Sequence, residues 1–259
     1  MFALILIAAT LFGLAVGSFL NVVIYRLPRG ESLLFPGSHC PNCSHSLSAL
    51  DNIPLVSWFV QRGKCRYCGA PISVRYPLVE MLGGALFGLA VLAYGLSAAA
   101  VAACLFGSVL IAIAFIDLDH LLVLDGTTIA GAVIGLGFGF VTHRVGAAIE
   151  GAAAGLLIFG AIYVLTGRMG MGLGDVKLAG TIGSYLGFPG MLTAAIASFI
   201  IGAVLAVPVL IGRRRARRDA LPFGPFLVIA ALLAMFAPAA LTGPYEAYRT
   251  LLTTHWMQR

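Results

Sequence analysis

Apolar runs separated by short polar breaks dominate the chain, and an apolar run of about 20 residues crosses a bilayer as a helix. That ruler marks eight runs, at about 3–25, 78–95, 97–116, 126–142, 145–166, 176–187, 190–212 and 222–241. The pattern predicts an all-α polytopic membrane protein with about eight transmembrane helices. The sixth run is short. It is expected to start within the glycine-rich break before it, or to be shielded by protein, since irregular backbone is tolerated only away from lipid. One long polar segment interrupts the series between the first two runs. The expected organisation is a first helix at 1–25, a cytoplasmic loop at 26–77, a helical membrane domain at 78–242 and a tail at 243–259.

Composition agrees with the pattern. Of 259 residues, 60% are hydrophobic and 10% are charged, against about 25% charged in a soluble domain. The 32 glycines suit close helix packing in lipid. Met1 to Val23 is long enough to span and lacks a preceding basic residue, so it is expected to remain as a helix. Ala15 to Ser18 loosely resembles a cleavage site, and small-residue packing explains it as well.

The formal charge is +6, and its distribution sets the expected orientation. With the N-terminus outside, the inner side holds thirteen of the sixteen Lys and Arg residues, leaving Arg144, Arg249 and Arg259 outside. Inner positions include Arg26, Arg29, Arg62, Lys64, Arg66, Arg75, Arg168 and Lys177. The run Arg213 to Arg218 is expected to anchor topology against anionic lipid headgroups. No nucleic-acid partner is expected.

The polar loop carries Cys40-Pro41-Asn42-Cys43, then 21 residues, then Cys65-Arg66-Tyr67-Cys68. Two C-x-x-C knuckles at this separation suit a closed tetrathiolate zinc site with a structural role. A disulfide pair is the competing reading, disfavoured by a reducing cytoplasm. So short a loop has little core of its own, and a metal would staple it. His39 and His45 flank a ligand set that is already full. Cys104 lies in an apolar run as a small apolar side chain.

Two acid clusters stand at membrane boundaries. One is Asp117-Leu118-Asp119-His120, directly after an apolar run. The other is Asp175, closing Gly170-Met171-Gly172-Leu173-Gly174. Ionisable residues there are costly and mark function. The charge count places both clusters on the cytoplasmic side. Asp117 and Asp175 are expected to meet near the membrane face. Two aspartates sharing one proton can activate water and protonate a departing nitrogen. Gly172 and Gly174 would leave room beside Asp175 for a substrate backbone. The same acids could instead serve an ion-coupled transporter, and a third reading is a non-catalytic assembly factor whose zinc loop docks a partner. Glu80, near the start of the second helix, suits either the helix dipole or a functional role.

Gly172-Leu173-Gly174-Asp175 resembles the G-x-G-D membrane aspartyl proteases. Other motifs narrow the likeness: Gly17-Ser18-Phe19-Leu20-Asn21 through Pro28, the double C-x-x-C loop, Tyr76-Pro77-Leu78-Val79-Glu80, Ile116 to His120, and Pro222-Phe223-Gly224-Pro225. In that order they resemble the type IV prepilin leader peptidase family, over roughly residues 10–230. The resemblance implies a bifunctional enzyme. It would cut the leader from type IV prepilins and type II pseudopilins, then methylate the new N-terminal amine with S-adenosylmethionine at the bacterial inner membrane. The implied catalytic pair is Asp117 and Asp175, with Asp119 the local competitor. Leu124 stands before Asp125 where the family usually has proline. The Cys-rich loop favours both activities. Because the inner face is basic, local acids are expected to hold the basic leader or the new amine, chiefly Glu80 and then Asp51. Asn21 is expected near the methyl-transfer site.

Overall fold

The computed structural model describes residues 1–167, 171–212, 222–237 and 241. Arg168, Gly170, the Arg213–Arg218 run and the tail at 243–259 lie outside them. No strand forms among the described residues, and helices follow the apolar runs: α1 Phe2–Arg26, α2 Val56–Val60, α3 Arg75–Tyr94, α4 Ala98–His120, α5 Asp125–Val141, α6 Val145–Leu165, α7 Leu173–Gly212 and α8 Gly224–Phe236. Five stretches among them are long and apolar enough to cross a membrane: Phe2–Arg29, Arg75–Tyr94, Ala98–His120, Val145–Leu165 and Leu173–Leu205. Asp125–Val141 and Gly224–Phe236 are shorter apolar helices. The runs expected at 176–187 and 190–212 are hydrogen-bonded into one element, α7, with its backbone broken at Gly187.

Local chemistry explains where the helices stop. Leu27-Pro28 turns α1 into a short 3-10 segment that ends on Gly30 at φ 67°. Pro77 sits in the first turn of α3, where a missing N–H costs nothing. In α8, Pro225 stands at the start in the same way.

The chain divides into two compact units, Met1–Asp119 and His120–Arg259. In the first, α1 packs along α3 with almost no side chain between them. A Cβ on Gly13 would come within 2.5 Å of the Gly83 carbonyl oxygen, and one on Gly17 within 2.7 Å of the Glu80 Cα. Gly13 and Gly17 stand four residues apart, so they share a helix face and let the backbones touch. Leu86 of α3 fills the space over Gly107 of α4.

The second unit is built around α7. Gly151 and Gly155 of α6 lie against Gly183 and Ala179 of α7 with the same closeness. Phe159, Phe199 and Phe223 form an aromatic cluster, with Phe199 and Phe223 centroids 5.2 Å apart. Phe138 of α5 stacks on Tyr185 of α7 at 5.2 Å. Thr181 donates to the Thr128 carbonyl at 3.0 Å, and Lys177 pairs with Asp125 at 2.6 Å, fixing the start of α5 to α7.

Candidate functional site

The Cys-rich loop folds into two matching knuckles. In the first, the Cys40 N–H donates to the His45 carbonyl and the Ser44 N–H to the Cys40 carbonyl. In the second, the Cys65 N–H donates to Ala70 and the Gly69 N–H to Cys65. The residue after each second cysteine takes positive φ, 56° at Ser44 and 71° at Gly69. Isolated bridges His39–Ser46 and Lys64–Pro71 close the two turns.

This doubling brings the sulfurs of Cys40, Cys43, Cys65 and Cys68 within 4.8 Å of one another. None of the five cysteines forms a disulfide. A tetrahedral ion with Zn–S bonds of about 2.3 Å needs sulfurs about 3.8 Å apart, and Cys40 and Cys68 sit at 3.8 Å. The four thiols can therefore hold a metal ion. The Ala70 N–H and then the Asn42 side chain hold the Cys68 thiol down at about 6, and backbone N–H groups of Cys43 and Asn42 lower Cys40 as well. Thiolate is the ligand form. His39 and His45 are exposed, outside the ligand set.

Asp51 is consumed by the loop itself. It accepts from the Ser48 hydroxyl at 2.7 Å and from Gln61 at 3.2 Å, and it pairs with Arg66 at 3.4 Å. Its side chain is 1% exposed, so it does not reach out for a basic leader as the charge argument expected.

Glu80 is placed differently. Because Gly17 has no side chain, Glu80 lies directly against α1, and it is 8% exposed. Its Oε2 accepts the Leu55 N–H at 2.8 Å, and the Ser18 side chain interacts with the carboxylate too. Asn21, one turn beyond Gly17, donates Nδ2 to the Tyr76 carbonyl at 3.1 Å, while its buried Oδ1 has no hydrogen-bond partner. Both residues line a cavity of about 420 Å³ between α1, α3 and the Cys loop. Its walls include Tyr25, Trp58 and Tyr76. Sequence reasoning missed Ser18, Leu55 and Trp58. The Gly17–Asn21 spacing of four, which puts both on one face of α1, was the available signal.

The acid clusters sit at helix ends. Asp117 lies in the last turn of α4 and is 5% exposed, while Asp119 is exposed and pairs with Arg75 of α3. That ion pair separates the two acids by environment. Asp175 lies in the first turn of α7 and is 8% exposed. Its Oδ2 accepts the Gly172 N–H at 3.2 Å, and its own N–H donates to the Gly172 carbonyl at 3.2 Å. The acid thus closes its own helix start, half of a capping box. Beside it, the room expected at Gly174 is filled from within the chain: a Cβ there would come within 2.8 Å of the Val123 Cβ. At Gly172 the nearest atom to such a Cβ is Asp175 Oδ2, at 3.4 Å.

Comparisons with known proteins cover nearly the same ground. The bacterial peptidase A24 N-terminal domain matches residues 11–94, and the type IV leader peptidase family matches residues 104–207. A prepilin leader peptidase/N-methyltransferase from Aeromonas hydrophila is 38% identical over 91% of this chain and 91% of that protein. One from Stutzerimonas stutzeri is 35% identical over 95% of each, and one from Neisseria gonorrhoeae is 37% identical over 85% of this chain and 86% of that protein. No solved structure matches the chain. These matches support an enzyme over the ion-coupled transporter. With both family models matched and this identity sustained along most of its length, the chain belongs to the type IV leader peptidase family.

Proposed function

We propose that this chain cleaves the leader from type IV prepilins and type II pseudopilins at the cytoplasmic face of the bacterial inner membrane. It then methylates the new N-terminal amine with S-adenosylmethionine. The observation that carries the reading is the sustained identity to prepilin leader peptidase/N-methyltransferases in a chain whose two motif acids, Asp117 and Asp175, are both buried.

In this reading Asp117 and Asp175 are the catalytic pair. One, as carboxylate, takes the proton of the attacking water. The other, as acid, gives a proton to the departing nitrogen, and the two exchange roles for the next turnover. Asp119 is left to hold the end of α4 to Arg75. Gly172 keeps Asp175 oriented through its N–H.

The finer organisation belongs to the same proposal. The chain crosses the membrane eight times, α7 contributing two crossings on either side of Gly187, with both termini periplasmic. The loop at 26–77 carries methyl transfer and the helices at 78–242 carry cleavage. Cys40, Cys43, Cys65 and Cys68 hold a structural Zn²⁺, which fixes the loop and performs no step. Lipid headgroups surround the basic inner face.

The test is incubation of the purified enzyme with a prepilin and isotopically labelled S-adenosylmethionine, followed by mass analysis of the product N-terminus. Cleavage after the leader with one added methyl group is the expected result. An intact prepilin would end the peptidase reading.

A further inference from the structure

The cavity under the Cys loop is a large feature that the proposed peptide cleavage does not use. At about 420 Å³ it falls within the range of about 300–1,000 Å³ typical of small-molecule sites. Its walls are mostly aromatic and apolar, with Tyr25, Trp58 and Tyr76 among them. Among the polar residues that line it are Glu80 and Asn21, together with Arg26 and Asp51. The Asn21 amide nitrogen donates to the Tyr76 carbonyl, and its Oδ1 is buried without a hydrogen-bond partner.

We infer that this cavity is where methyl transfer takes place, with an adenosyl sulfonium donor against the aromatic wall and the peptide amine against Glu80 and Asn21. The inference rests on the proposal that the chain methylates its cleaved product. The charge balance of the reaction favours it. The amine lone pair forms the new N–C bond, and the methyl C–S bond breaks with its electron pair left on sulfur. A cationic sulfonium and a neutral amine thus become a neutral thioether and an ammonium. One positive charge moves from sulfur to nitrogen during the transfer. The Glu80 carboxylate faces it on both atoms, and the ammonium proton then passes to Glu80 and on to water. Oε2 of Glu80 is anchored by the Leu55 N–H, so the carboxylate is held in place by the loop.

The loop also completes the walls. Cys40, Asn42 and Cys65 line the cavity together with residues of α1 and α3. The cysteine loop therefore shapes the pocket, so loss of a bound metal should affect this activity first.

Trp58 provides the measurement, since the only other tryptophan is Trp256 in the tail. Trp58 emission of the full-length enzyme in detergent is titrated with S-adenosylmethionine and with its thioether product, Trp58→Phe serving as the blank. Donor binding is expected to change Trp58 emission, with the sulfonium bound more tightly than the thioether. Glu80→Gln is expected to weaken the donor about tenfold, because the sulfonium loses the nearby carboxylate charge, with little effect on the neutral thioether. It should slow methylation at least as much while cleavage and bound zinc are retained. Asn21→Ser gives a second variant with a smaller side chain and the same expected direction. Methylation and donor affinity at wild-type levels in both variants would overturn the site assignment. Wild-type enzyme that cleaves but leaves the amine unmethylated would instead overturn the methylation proposal, and this site with it.

Discussion

Val123 occupies the space that a side chain on Gly174 would need, with 2.8 Å between the Val123 Cβ and a Cβ built at Gly174. The second glycine of the G-x-G-D motif therefore lets the segment after α4 close over the start of α7. Gly174→Ala is expected to cost about 1–3 kcal/mol, the usual range for overpacking, and to reduce cleavage. Val123→Ala in the same chain should restore most of the loss. If the double variant stays as inactive as Gly174→Ala alone, the glycine serves substrate access instead. Rates on a prepilin, with thermal unfolding of each variant in detergent, separate the two outcomes.

Asp117 and Asp119 provide a comparison within one helical turn. Asp117 is buried, whereas Asp119 is exposed and paired with Arg75. Asp117→Asn and Asp175→Asn are each expected to lower cleavage about 10³-fold, as removal of an acid–base partner does, with methylation of a pre-cleaved pilin retained. Asp119→Asn removes a partly exposed ion pair, of a kind worth about 0–1 kcal/mol, and should change cleavage only a few-fold. Equal losses at 117 and 119 would move the first catalytic role to Asp119. Single-turnover cleavage with each purified variant decides it.

The metal cluster predicts an order of failure. Cys40→Ser, or a strong chelator, should remove the proposed zinc, one per chain, and open the loop that carries Leu55 and Trp58. Methylation is expected to fall before cleavage does, because the loop lines the Glu80 cavity and none of it belongs to the proposed aspartate pair. Metal content by mass spectrometry and the two rates, followed together during chelation, check the order. Simultaneous loss of both activities would tie the loop to peptide cleavage too.

Asp51 makes the loop's stability sensitive to acid. The Ser48 side chain, with the Ser48 N–H and Arg66, holds its carboxyl below the ordinary value of 3.8. A carboxylate lowered in the folded state contributes stability that is present above its unfolded value and lost as pH falls through the folded one. Asp51→Asn should therefore loosen the loop at pH 7, seen as faster backbone hydrogen exchange at residues 48–67. The gap from wild type should close as pH falls below about 4. A gap that persists in acid would mean that Asp51 acts by shape and not by charge.

How much of this was legible in the sequence depended on how local each signal is. The two C-x-x-C turns were visible because four ligands at fixed spacing carry their geometry with them. The helix series was visible because lipid forces any long apolar run to satisfy its backbone internally. Which faces of those helices meet was not visible: a helix that is apolar all round has no polar face to orient it, and only pairs such as Gly13 and Gly17 give a hint. The Leu55–Glu80 hydrogen bond spans 25 residues, and the Val123–Gly174 contact spans 51. No local pattern encodes either. Asp51 shows the opposite failure: as one of few loop acids it was read as a leader contact, yet Ser48 and Arg66 had already engaged it.

Gly187 breaks the helical backbone of α7. Its φ of 72° and ψ of 178° lie in a region that is essentially glycine-only, and Pro189 follows two residues later. Gly151 of α6 packs directly onto the break, where an added Cβ would come within 2.6 Å of the Gly187 Cα. Any straightening of α7 would thus be felt by α6. Gly187→Ala is expected to destabilise the protein by about 1–3 kcal/mol, the cost of such a conformation for a residue with a Cβ. Gly137→Ala is the control, because a Cβ there meets nothing within 4 Å and alanine is the better helix former by about 1 kcal/mol. Thermal unfolding in detergent should show a lowered midpoint for the first and an unchanged or raised one for the second. If Gly187→Ala unfolds at the wild-type temperature, the backbone at 187 is free to become helical and α7 is a single straight helix.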